Sequence, residues 1–274
     1  MGNTVTVFAL IPLILLSGNV PVARAGWEAG TTAGFDTNVD RSVDGGKNDG
    51  FLSGYVGYTR APAGEKRWDF TLSSTLAGGA YAEISDLDYV AITAAPGIVV
   101  VPRAYFTLAI IPFLEARAVR DREQSAVAFG GRVSIEERIR RNLYLGQYYA
   151  YTDSRADADT FSFSEHSVGA IIGVAATSAL HVELEYGFTR GDSFRSIGTS
   201  APPDPGFGMH RRFSSAFGAD VVREEVDRHA VSLSAGMDWT PSFFSRAGYT
   251  VADTEGDLGS SVSHSGFAGV GYRF

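Results

Sequence analysis

The chain of 274 residues contains no cysteine, so a disulfide framework, a thiolate metal site and a cysteine nucleophile are all excluded. It also lacks a basic excess. With 23 Lys and Arg against 31 Asp and Glu, the formal charge is −8 and the pI about 5.1, which argues against a nucleic-acid partner. No uninterrupted apolar stretch is long enough for a spanning helix. The first apolar run, Val5 to Leu16, is shorter than the roughly 20 residues a helix needs to cross a bilayer. The second, Val90 to Leu114, is broken by Pro96, Pro102 and Pro112 and carries Arg103. Interior prolines remove backbone donors, so two strands joined by a turn near Pro102-Arg103 fit this stretch better than a helix.

What the chain does have points to β-structure. There are 32 glycines, 18 phenylalanines and 12 tyrosines, a mixture suited to aromatic-rich strands and many turns. A mean hydropathy of +0.00 is too polar for a bundle of membrane helices. It is what strands give when apolar and polar residues alternate. At the amino terminus, Val5 to Leu16 followed by Ala23-Arg24-Ala25 reads as a cleaved secretory signal over residues 1–25, although Met1 to Thr4 holds no Lys or Arg. Residues 26–274 then form one domain.

Within that domain, period-two alternation recurs in strand-sized segments. The first places Trp27, Ala29, Thr31, Ala33 and Phe35 on one face. The second, Gly50 to Arg60, is ambiguous in phase, because Phe51 and Tyr55 compete with Leu52, Val56 and Tyr58. The ninth is the cleanest, with Leu180, Val182, Leu184, Tyr186 and Phe188 set against His181, Glu183, Glu185, Gly187 and Thr189. Twelve segments are expected. Brief turns follow the even ones, and longer polar connections follow the odd ones, including Asp253 to Gly259 and a segment of some forty residues from Arg190 to Arg228.

The last segment ends Val270-Gly271-Tyr272-Arg273-Phe274, with Val270, Tyr272 and Phe274 on one face. This ending resembles the C-terminal signal strand of Gram-negative outer-membrane β-barrel proteins. Together with the leader and the strand pattern, the resemblance covers nearly the whole chain. Gly34-Phe35-Asp36-Thr37-Asn38-Val39 is also similar to a segment near the start of many such barrels. The resemblance implies an all-β fold: a closed antiparallel transmembrane β-barrel of about 12 strands, with short periplasmic turns and longer extracellular loops. It also implies a place in the outer membrane, contact with its lipid and lipopolysaccharide, and insertion by the barrel-assembly machinery.

On that reading His181, Glu183, Glu185, Arg132, Asp238 and Arg273 are candidates for lining the lumen. Arg211 and Arg212 are candidates for meeting lipopolysaccharide phosphates. His181-x-Glu183 lacks the spacing of a helical zinc site, so no metal, cofactor or catalytic residue is expected. The inward residues of the eighth, tenth and twelfth segments are small, among them Gly169, Gly173, Ser232, Gly236 and Gly269. They favour a water-containing lumen and a passive small-solute channel, with a structural barrel as its near relative. Two alternatives stand beside it. One is a lipid-modifying hydrolase drawing on His210 or His229 with Asp204, Ser214, Ser215 and Asp227. The other is an adhesion or assembly barrel acting through 190–228.

Overall fold

A computed structural model describes residues 25–43, 45–62, 67–197 and 211–274. The expected leader lies outside the described residues, apart from Ala25. The strands are β1 (Gly26–Asp36), β2 (Asp49–Arg60), β3 (Trp68–Tyr81), β4 (Tyr89–Arg103), β5 (Phe106–Val119), β6 (Ala126–Arg140) and β7 (Leu143–Ala156). They continue as β8 (Phe163–Ala175), β9 (Leu180–Ile197), β10 (Arg212–Ser214), β11 (Ala219–Asp238), β12 (Phe243–Gly256) and β13 (Gly259–Arg273). Consecutive strands pair antiparallel from β1 to β9, β9 pairs with β11, and β13 returns to β1. The wall is therefore a closed barrel of 12 strands. The short β10 lies outside it, hydrogen-bonded to the tip of β11.

Closure leaves no edge, which is what a hydrocarbon surrounding requires of a sheet. The outward face meets that requirement too. Leu52, Val56, Leu76, Val90, Ile92, Leu114, Leu184 and Leu233 point out and are half or more exposed in several cases, an arrangement that only a lipid environment makes favourable. At the rim of short turns Trp27, Trp68, Trp239, Tyr272 and Phe274 form an aromatic girdle. The Phe274 N–H donates to the Trp27 carbonyl at 2.9 Å, so the final residue is held in the seam. Nearer the other rim, the outward hydroxyls of Tyr149, Tyr186 and Tyr249 hydrogen-bond Nδ1 of His166, His229 and His264 at 2.7, 2.8 and 2.7 Å.

Three differences from the sequence reading have physical reasons. First, the strands run further toward the long-loop rim than the apolar alternation suggested. β12 ends at Gly256 and β13 starts at Gly259, so the expected connection Asp253 to Gly259 shrinks to a tight turn. Beyond the bilayer the outward face need not be apolar, and the alternation fades while the pairing continues. Second, the same effect turns most of 190–228 from loop into strand; only 198–210 within it lies outside the described residues. Third, Pro102 belongs to β4, and Ala104-Tyr105 make the turn. Pro96 and Pro112 fall opposite one another where the β4–β5 register is interrupted, between Ala94↔Leu114 and Ile98↔Ile110. Neither proline has an N–H to give, so the ladder gaps there.

Candidate functional site

Along the membrane-spanning part of the wall, charged side chains such as Glu115, Arg117, Arg132, Glu183 and Glu185 are on the inward phase. His181, Glu183 and Glu185 of β9, Arg132 of β6, Asp238 of β11 and Arg273 of β13 all face the lumen, as their register with inward neighbours requires. They do not converge on one centre. Glu183 and Glu185 accept from the hydroxyls of Tyr144 and Tyr148, the latter at 2.7 Å. Arg132 lies 3.7 Å above the Tyr148 ring. Toward the short-turn rim, beside His181, Arg273 pairs with Asp238 at 2.9 Å and covers the Phe244 ring at 4.4 Å.

Aromatic rings also face inward, and several lean over a glycine on the neighbouring strand. Tyr55 lies over Gly30, Phe51 over Gly34, Tyr148 over Gly169, Tyr144 over Gly173 and Phe244 over Gly271, and a Cβ at any of these glycines would overlap the ring. The glycines let bulky rings lie along the wall instead of projecting across it. This resolves the ambiguous phase of β2: Phe51 and Tyr55 are inward residues accommodated by β1.

The long-loop mouth is covered. β9 leaves β8 after Gly191, the last residue it pairs there, and continues to Ile197 paired only with β11. This free hairpin crosses the opening. On one flank Arg195 donates to the Gly259 carbonyl at 2.9 Å and to Ser261 Oγ at 3.2 Å, and its Nε stands 3.3 Å from Glu224 Oε1. The side chains of Arg195 and Glu224 are 0% and 2% exposed. Glu224 also accepts from the Leu258 N–H at 3.1 Å, and the Ser196 N–H donates to the Asp40 carbonyl at 3.2 Å. Arg41, in the left-handed region at φ 57°, donates to Ser193 Oγ and sits 5.1 Å over the Phe194 ring. On the other flank Phe194, Phe217 and Val221 pack with Ala158 and Phe161 of the β7–β8 connection and with Leu87 of the β3–β4 connection, on the far side of the barrel.

Burial sets the electrostatics of this cover. It lowers the Arg195 guanidinium below its ordinary range and raises the Glu224 carboxyl, which the Leu258 N–H partly offsets. Arg41 is pushed well down by burial, then by the positive charge of Arg228. Arg211 pairs with Asp220 at 2.6 Å, and the exposed Arg212 pairs with Glu123. The hydrolase candidates do not assemble among the described residues. His229 is on the outer wall with Tyr186, Asp227 is near Arg190 at 3.8 Å, and Ser214 Oγ accepts from Phe217. His210 and Asp204 lie outside the described residues.

No protein-family model matches the chain, and no curated protein matches it in sequence. Solved structures do match. An outer membrane channel from Pseudomonas putida F1 superposes with a TM-score of 0.62 at 8% identity, covering 94% of this chain and 98% of that one. The KdgM porin in complex with disordered oligogalacturonate gives 0.51 at 12%, covering 90% and 99%, and the NanC porin 0.51 at 10%, covering 90% and 100%. The fold is that of outer-membrane β-barrel porins and channels. At such identities the likeness concerns architecture, and it agrees with the lipid-facing exterior: this wall is embedded in a membrane.

The residues that sequence reasoning missed are those of the cover. Arg195, Glu224, Arg41 and Phe194 sit in stretches with no alternation to read. The Asp36-Thr37-Asn38 run, singled out in the sequence only for its resemblance, forms a built turn beside them: the Asn38 N–H donates to Asp36 Oδ1 at 2.8 Å, just before Asp40 and Arg41 reach the hairpin.

Proposed function

We propose that the chain is an outer-membrane channel for small hydrophilic solutes, shut at its long-loop mouth by the β9–β11 hairpin in this conformation. The observation that carries the reading is the pairing of inward rings with glycines. A purely structural barrel gains from filling its interior, whereas here several of the bulkiest inward rings are laid against the wall. The cover supports the same reading, because its β13-side flank is held by polar contacts that can be exchanged for water. The porin and channel neighbours add a fold-level analogy. On this reading residues 1–25 direct export, and the barrel-assembly machinery engages the strand ending Val270, Tyr272 and Phe274. The short turns are periplasmic, and the long-loop rim stands among lipopolysaccharide.

Proteoliposomes containing the folded protein test the proposal. They are expected to swell in isotonic arabinose faster than empty liposomes, and faster still once the hairpin is released. Liposomes that stay at the empty-vesicle rate with the hairpin released would overturn it.

A further inference from the structure

One row of the wall, read across four strand pairings, runs Arg132, Ala150, Ser167, Thr189, Arg228. All five face the lumen. The middle three are small, and Ser167 Oγ and Thr189 Oγ1 share a hydrogen bond at 2.8 Å. The row spans roughly 19 Å of wall, four interstrand steps, so two arginine side chains reaching in from its ends leave a gap above a low floor.

Both guanidiniums are left incomplete by the protein. Nε of Arg132 and Nε of Arg228 are buried without a hydrogen-bond acceptor. Among the described residues neither arginine forms an ion pair. The carboxylates whose fields reach the two arginines each have another partner: near Arg132, Glu185 accepts from Tyr148 and Glu183 from Tyr144; near Arg228, Asp36 accepts from the Asn38 N–H, and Glu165, one row higher, also lies in the field of Arg41. Stacking on Tyr148 orients the Arg132 fork without satisfying it. A buried N–H with no acceptor is costly, and a planar guanidinium is shaped to take a carboxylate through two parallel hydrogen bonds.

We propose that this row is a binding subsite for a small dicarboxylate, one carboxylate to each guanidinium, with its carbon chain lying over Ala150, Ser167 and Thr189. The inference rests on the channel reading and gives it a substrate class. Two guanidiniums set apart along one row select for two anionic ends, whereas a monocarboxylate can satisfy only one.

Equilibrium dialysis of radiolabelled succinate against the full-length folded barrel in detergent tests it. Saturable binding of one succinate per barrel is expected, with no displacement by its neutral isostere succinamide. Arg132→Gln and Arg228→Gln should each weaken binding by about tenfold or more, the order expected for losing one charge-assisted fork. Arg246→Gln, elsewhere in the lumen, should leave it unchanged. No saturable binding, equal displacement by succinamide, or undiminished binding by the folded double variant would overturn the proposal. The succinamide comparison uses the unaltered protein, so it holds even if a variant fails to fold. Dialysis does not require passage: binding without swelling in any solute counts against the channel and leaves the subsite, and swelling without binding does the reverse.

Discussion

Arg195→Ala is expected to open the mouth. The arginine holds the hairpin to the β13 side of the barrel through the Gly259 carbonyl and Ser261 Oγ, and it is the cation beside Glu224. With both side chains out of water, removing one leaves the other as an uncompensated buried charge, a loss of about 3–5 kcal/mol in comparable pairs. If that cost falls on the closed state, the closed-to-open ratio drops by roughly 100- to 4,000-fold, since each 1.4 kcal/mol is tenfold. In planar bilayers the variant should show long-lived openings where the parent is mostly shut. Arg195→Met combined with Glu224→Leu should regain much of the closure, because an apolar pair of similar volume removes the buried charge. Unchanged open probability in Arg195→Ala would mean that the aromatic flank, Phe194 against Phe161 at 4.8 Å and Phe217 at 5.7 Å, holds the hairpin alone.

The second large effect is expected from filling the inward glycines. Gly169→Val and Gly173→Val would push the rings of Tyr148 and Tyr144 off the wall, since the new Cβ occupies the space of the ring ends. A ring is free to swing, so the barrel is expected to fold while its lumen narrows. In the Arg195→Ala background the paired substitution should lower single-channel conductance by roughly twofold or more, because the interior of a barrel this size is only a few side chains wide. Gly54→Val is the control. Gly54 faces outward, with its nearest neighbour 3.7 Å from the built Cβ, and conductance should not change. Equal conductance in all three proteins would mean that the rings do not bound the path.

How much of this was legible in the chain follows from where two solvents flank the backbone. Between lipid and lumen, each side chain is sorted by the medium it meets, so Leu180 to Thr189 displays its strand and its facing without ambiguity. Above the bilayer both faces meet water or protein and the sorting stops. Arg190, Asp192, Arg223 and Glu225 therefore read as loop although they are paired strand. The lumen blurs the pattern in another way. Phe51 and Tyr55 are aromatic on the watery side because Gly34 and Gly30 lie across the strand pair, a fact of register and not of either segment alone. Contacts such as Tyr144 with Glu183 and Arg195 with Ser261 join distant positions and have no local signature. The row Arg132, Ala150, Ser167, Thr189, Arg228 is assembled from five strands, and only the pairing brings it together.

The central claim is that β9 separates lipid from an aqueous lumen, and the absence of native cysteine makes it directly measurable. Single cysteines would be placed in turn at Leu180 through Thr189 in the Arg195→Ala protein, inserted in liposomes, and exposed to a small charged thiol reagent. The account predicts labelling that alternates with period two, strong at positions 181, 183, 185, 187 and 189 and weak at 182, 184, 186 and 188 between them. Labelling of both phases alike, or protection of the inward phase, would contradict it.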